Sequence, residues 1–330
     1  MGDVPILLSS LESELPLLLL PSVKHRLTTK RRMSMLWKPD VSTAAAWYNE
    51  GRKWFLITPL LASPTTFLIN APFGRFSPKG ESIFMVDGIK SWILMELVSP
   101  LCFLYSYYIS PLTPRTHTPS LRDPTTPFVA LFLIHYTNRA LLSPLRTPSR
   151  SKSHLMVPLA AVLFNTVNGS LLGTYFSSTQ GISSAASMPN WRFWLGLGMW
   201  AAGFVGNIVH DEMLLNIRRN KMGEQEQQKA EGKKPKENHY AIPHGLLYNF
   251  ISYPNYFCEW IEWIGFALAC SPVPSLASGA EFMRTVSPPW LFLIAEVATM
   301  LPRAWKGHKW YHEKFPDYPK ERRAVVPFIF

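Results

Sequence analysis

Charge is scarce in this chain and cysteine scarcer, and the sequence carries neither a dinucleotide glycine fingerprint nor a metal-ligand spacing. Only 17% of its 330 residues are Asp, Glu, Lys or Arg, against about 25% in soluble domains, which argues against a soluble globular protein. The three cysteines, Cys102, Cys258 and Cys270, all lie in apolar runs. They read as buried thiols, which excludes a disulfide framework, and no metal is expected. Gly196, Gly198 and Gly203 do not make a Rossmann fingerprint, because the third glycine is misplaced and no strand precedes them. They read as helix packing, as do Gly169 and Gly173, a GxxxG pair. The formal net charge is +11, yet the bases are divided among termini and connections with no basic–aromatic module, so no nucleic-acid partner is expected. No cleavable leader is expected either: Leu17–Leu20 is too short for one and is preceded by acids. The inverted repeat of many transporters is not visible.

What is abundant is apolar and aromatic. Hydrophobic residues make up 47% of the chain, with 12 Trp, 12 Tyr and 20 Phe. Seven segments read as spans of about 17–25 residues: Trp54–Ala71, Ile83–Ile109, Pro127–Leu142, Leu155–Phe176, Trp191–Ile217, Leu246–Cys270 and Pro289–Pro302. The third and seventh are short or flanked by proline. The fold class expected is all-α, a polytopic seven-transmembrane-helix bundle over residues 47–330. Residues 1–46, with Lys24, Arg26, Arg31 and Arg32, read as a basic, disordered tail that touches lipid headgroups. Lys221–Asn238 reads as a solvated loop. Lysine and arginine gather on the side of the C terminus, which favours a cytosolic C terminus, although the basic tail argues the other way.

Polar residues inside apolar runs are expensive and by default line something. The stretch Tyr240–Gly265 runs from a polar, aromatic approach into a span carrying Asn255, Glu259 and Glu262. Asn255 and Glu259 are i, i+4 and share a helix face. Glu96 lies mid-span with no base in helical register, so it would be neutral or paired from another helix; a plain helix–helix hydrogen bond is the bland alternative. His135, Tyr136, Asn138 and Arg139 cluster where the third span ends, which could equally be an interfacial anchor. Asn207, Asp211 and Arg218 form one stripe of a fifth helix, and Arg303, His308 and Tyr311 follow the seventh span. Arginines gathered at the ends of several spans can clamp a multiply charged phosphate.

Three motifs carry a resemblance. They are Gly206-Asn-Ile-Val-His-Asp211, the Tyr240–Gly265 run with its Glu-Trp-Ile-Glu-Trp-Ile-Gly end, and Lys309–Lys320 continuing to Pro327-Phe-Ile-Phe330. Over about residues 200–330 the chain resembles the steroid 5α-reductase family, the 3-oxo-5α-steroid 4-dehydrogenases; weaker matches reach back to Phe73. The resemblance implies a membrane enzyme of the endoplasmic reticulum. It would use NADPH to reduce the C4–C5 double bond of a 3-oxo-Δ4-steroid, hydride going to C5 and a proton to C4. It implies Glu96 and Tyr136 as donors to the ketone oxygen. It implies Arg139, Asn207, Asp211, Arg218, Tyr240, Asn255, Glu259, Arg303, His308 and Tyr311 as cofactor residues. Gly307 and Pro144 depart from the family pattern, and 221–238 resembles an insertion. Reduction of another lipid alkene, an enoyl-CoA or a polyprenol derivative, stays open, and a transporter or scaffold is the distant alternative.

Overall fold

The computed structural model describes residues 38–78, 82–114, 119–187, 190–232 and 240–330. The basic tail lies outside these residues except at its end, where Lys38–Asp40 lead directly into a helix. That helix, α1, spans Val41–Leu68, so helix begins well before Trp54. Asp40 starts it, its carboxylate accepting from the Thr43 N–H at 3.0 Å and from the hydroxyls of Ser42 and Thr43. Asp87 does the same for α2, Gly88–Ile109, accepting from the Ile89 and Lys90 N–H groups.

Proline opens α3, Thr126–Tyr136, where its missing N–H costs nothing. The chain then enters a π-helical turn over Thr137–Leu142. Pro144 explains the turn. Its ring would press on the carbonyl four residues back, and the wider turn moves that carbonyl away, with Ser143 N–H bonding Asn138 O instead. The proline therefore reshapes the end of the third span rather than ending it, and helix resumes over Ser143–Arg146. The remaining long helices are α4, Met156–Ser177, α5, Trp191–Ala230, α6, Pro254–Cys270, and α7, Pro288–Lys314.

The start of α1 also makes residues 41–46 helical, where the sequence reads as tail, and two further boundaries differ. The solvated loop expected from Lys221 is helical as far as Ala230, ten residues into it. Lys, Glu and Gln are strong helix formers even without apolar periodicity, and Lys221 pairs with Glu224 at 2.8 Å one turn on. The sixth span begins eight residues later than expected. Pro254 holds Tyr253 out of the helical region, and Ser252 and Tyr253 instead donate to the carbonyls of Arg323 and Ala324 at 2.9 and 3.0 Å.

Glycines set the helix contacts. A side chain on Gly169 or Gly173 would collide with the backbone of Ser99 or Phe103, so α2 and α4 meet backbone to backbone. Gly196, Gly203 and Gly265 do the same between α5 and α6. Helix α7 packs on α1, α4 and α6. Between the helices lies an aromatic core. Phe103 stacks on Phe132 at 4.4 Å and Trp263 meets Phe292 edge-on at 4.7 Å, each buried ring adding about 1.5–3 kcal/mol. A two-residue antiparallel pairing, β1 (Met85–Val86) with β2 (Ser153–His154), ties the entry of α2 to the entry of α4.

The outer faces stay apolar. Leu94 and Leu101 on α2, Leu159 and Leu163 on α4, Leu61 and Leu68 on α1, and Trp191 and Trp194 on α5 are all exposed. Exposed apolar surface on this scale marks contact with lipid or a partner. Among the described residues, α2 and α4 are the two helices that meet a length-and-hydropathy test for crossing a membrane.

Candidate active site

Six of the polar residues singled out in the sequence form one connected chain across four elements. Asn255 Nδ2 donates to Asp211 Oδ1 at 2.9 Å. Asn207 Nδ2 donates to the Asn255 carbonyl at 3.0 Å and to Glu259 Oε2 at 3.2 Å. Arg139 Nη1 lies 3.3 Å from both Glu259 oxygens, and its Nε is 3.4 Å from Glu96. The base that Glu96 lacks in its own helix thus comes from the π turn after α3. The i, i+4 spacing of Asn255 and Glu259 puts them on the α5-facing side of α6, opposite Asn207 and Asp211. The glycine contacts bring the two helices close enough for amide-length reach.

Glu96, Tyr136, Arg139, Glu259 and Arg303 share a cavity of about 780 Å³, walled mainly by apolar side chains of α1, α2, α4 and α7. Asn168 Nδ2 donates to the Tyr136 hydroxyl oxygen at 3.2 Å, which fixes the phenol from behind. Two carboxyls that the sequence left without a partner or a role take different positions. Glu262, fully buried, bonds His135 Nδ1 at 2.7 Å. Glu296, from α7, lines the cavity with no partner for its buried Oε2. Its spacing to Arg303, seven residues on, puts both on one stripe, a signal the sequence did carry.

Arginines surround the polar chain. Arg150 and Arg139 share the Trp92 indole, at 3.9 and 4.9 Å from its centroid. Burial, and then the like charges of Arg139 and Arg218, push the Arg150 guanidinium down to about 10. Among the described residues, Arg218 itself donates only to the Ser149 carbonyl, at 3.3 Å. A second group forms around Arg75, which the sequence analysis does not single out. Its guanidinium lies within 4.6–5.7 Å of the rings of Trp310, Tyr311, Tyr253 and Tyr240. Tyr240 and Tyr311 therefore stand together at this arginine, outside the cavity. Arg303 covers the Phe73 ring at 3.6 Å. Among the described residues, the buried Nη1 atoms of Arg75 and Arg303 have no hydrogen-bond partner.

His308 stands apart. It bonds Ser252 Oγ at 2.6 Å and packs on His312 and Tyr318, away from both arginine groups and from the cavity wall. Gly307, beside it, has a local cause: any side chain there would overlap the Tyr253 hydroxyl.

Residues 151–330 match the family described as 3-oxo-5-alpha-steroid 4-dehydrogenase. The chain belongs to the steroid 5α-reductase family. It is 33% identical to 3-oxo-5-alpha-steroid 4-dehydrogenase 1 of Rattus norvegicus over 79% of this chain and 87% of that protein. It is 29% identical to steroid 5-alpha-reductase DET2 of Solanum lycopersicum, over 82% and 93%. An uncharacterized protein of Schizosaccharomyces pombe is 36% identical over 86% of this chain and 99% of its own length. As a steroid 5α-reductase family member the protein is an oxidoreductase acting on CH–CH groups, and a membrane protein whose apolar outer faces agree with that setting.

Proposed function

We propose that the protein reduces the C4–C5 double bond of a 3-oxo-Δ4-steroid with NADPH. It would do so inside a seven-helix bundle in the endoplasmic reticulum membrane, its C terminus in the cytosol. The observation that carries this reading is the shared cavity: Glu96 and Tyr136 reach one apolar space together with Arg139, Glu259 and Arg303.

Enone reduction moves negative charge onto the ketone oxygen, and donors aimed there lower the barrier. Tyr136 would donate its proton, its oxygen being held by Asn168. Glu96 can donate only when it carries a proton. Arg139 is shared between Glu96 and Glu259, so one guanidinium orients both carboxyls at the cavity wall. NADPH, when bound, supplies the hydride.

The arginine groups fit a dinucleotide phosphate. The unpartnered Nη1 atoms of Arg75 and Arg303 and the crowding of Arg139, Arg150 and Arg218 are relieved by an anion. Arg139, Arg218 and Arg303 would hold phosphate, with Arg75 added to them. Asn207, Asp211, Asn255 and Glu259 suit ribose hydroxyls and a carboxamide. Tyr240 and Tyr311 would flank Arg75, and His308 would act through Ser252 at the start of α6. The purified protein with NADPH should lose absorbance at 340 nm, the general NADPH band, with a Δ4-3-ketosteroid. Oxidation only with a trans-2-enoyl-CoA or a polyprenol-type alkene would sink the steroid reading.

A further inference from the structure

Among the described residues, Glu296 is the one buried carboxyl of the cavity that the polar chain leaves aside; Glu50, which also lines it, is exposed. Glu296 is 7% exposed. Glu96 and Glu259 both take Arg139, and Glu262 takes His135. Among the described residues no hydrogen bond or ion pair reaches the Glu296 side chain, and its Oε2 is buried without a partner. It projects into the cavity from the same α7 face as Thr299 and Arg303. A buried carboxyl without a partner is costly, so its place on a cavity wall calls for a ligand that completes it.

We infer that Glu296 sets substrate specificity by hydrogen-bonding a hydroxyl on the flat apolar molecule that the cavity accepts. A hydroxyl suits it in either protonation state, since a carboxylate accepts from the O–H and a carboxylic acid donates to the oxygen. Charges of both signs line the cavity, Glu50, Glu96 and Glu259 with Arg139, Arg303 and Lys306, so a neutral hydroxyl is the partner that Glu296 can take without adding a charge. The inference rests on the steroid reading for the kind of molecule and goes beyond it in naming a second polar group on that molecule. A site built around a polar partner rejects the analogue lacking it far more strongly than an apolar pocket rejects an added hydroxyl.

The test compares wild type, Glu296→Gln and Glu296→Leu, with oxidised NADP bound. Binding of Δ4-3-ketosteroid pairs that differ by a single hydroxyl is followed by tryptophan fluorescence, since Trp54 and Trp92 line the cavity. NADPH oxidation is measured in parallel. Wild type should favour the hydroxylated member of at least one pair by about tenfold or more, the range of a hydrogen bond to a charged group. Glu296→Gln should keep part of that preference. Glu296→Leu should lose it while binding the deoxy member at least as well. An unchanged preference in Glu296→Leu, no preference for any pair in wild type, or a loss of NADP binding in place of steroid selectivity would overturn the inference. Selective binding without NADPH oxidation would remove the reductase reading and leave the role of Glu296 standing. Oxidation of both members without selectivity would do the reverse.

Discussion

Arg139 joins two halves of the polar chain, and replacing it by methionine isolates them. Arg139→Met keeps most of the aliphatic stem while removing the guanidinium, whose central carbon lies 4.9 Å from the Trp92 centroid. Glu96 and Glu259 then lose their cation, at 3.4 and 3.3 Å. Breaking a buried pair costs about 3–5 kcal/mol. Two carboxyls are stranded here, which pushes the cost up. The Arg139 side chain is 26% exposed, so water reaches the gap, and Asn207 still donates to Glu259, which pulls it down. The expected loss is about 3 kcal/mol, at the lower end of that range. Adding Glu259→Gln removes one stranded charge and should restore about half of it, because the remaining amide still accepts from Asn207. Denaturant unfolding in one detergent, with ligand-free protein, reads both variants. A single variant within about 0.5 kcal/mol of wild type, the range of ordinary surface changes, would refute the reasoning. So would a double variant less stable than the single one, since relief of a stranded charge cannot then be the cause.

Glu96→Ala and Tyr136→Phe should each lower single-turnover NADPH oxidation about 10²–10³-fold, as for loss of one oxyanion donor. Glu96→Gln should retain part of the rate, and nucleotide affinity should barely move in all three; unimpaired turnover in Glu96→Ala would return that residue to a helix-packing role. Arg218→Ala and Arg303→Ala should each weaken NADPH binding by about 1.5–3 kcal/mol, and equal wild-type affinity for NADH and NADPH would rule out the phosphate clamp. Burial, followed by the nearby His312 and Arg323, pushes His308 down to about 4 from 6.5. The unfolded chain therefore binds the extra proton first, and stability should fall as pH drops from about 6.5 to about 4, then level. His308→Gln should show a flatter slope in that window when unfolding is followed against pH.

Much of the site was legible because helical spacing carries it. Asn207 with Asp211, and Asn255 with Glu259, are one turn apart, so their facing could be read before the helices were placed. Pairing between helices could not. Glu96 lacks a base in register, and its partner Arg139 lies on a π turn that ends just before Pro144. Arg75 could not be read as part of a site, because its aromatic partners lie 165–236 positions further along the chain. Glu296 was passed over because the seventh span was drawn from its apolar content alone. The helical stretch after Lys221 is hard to read for the opposite reason: it has propensity without apolar periodicity.

The pairing of Ser252 and Tyr253 with Arg323 and Ala324 has a consequence for the order in which the protein is made. The strip that fixes where α6 begins is translated about seventy residues after that helix. Asn255 and Glu259 leave the ribosome while the backbone groups that will anchor Ser252 and Tyr253 do not yet exist. Until Arg322 reaches the Pro243 carbonyl, 3.0 Å away in the finished fold, the head of α6 lacks that anchor. Nascent chains stalled before residue 322 would hold α5 and α6 without the clasp that positions the head of α6.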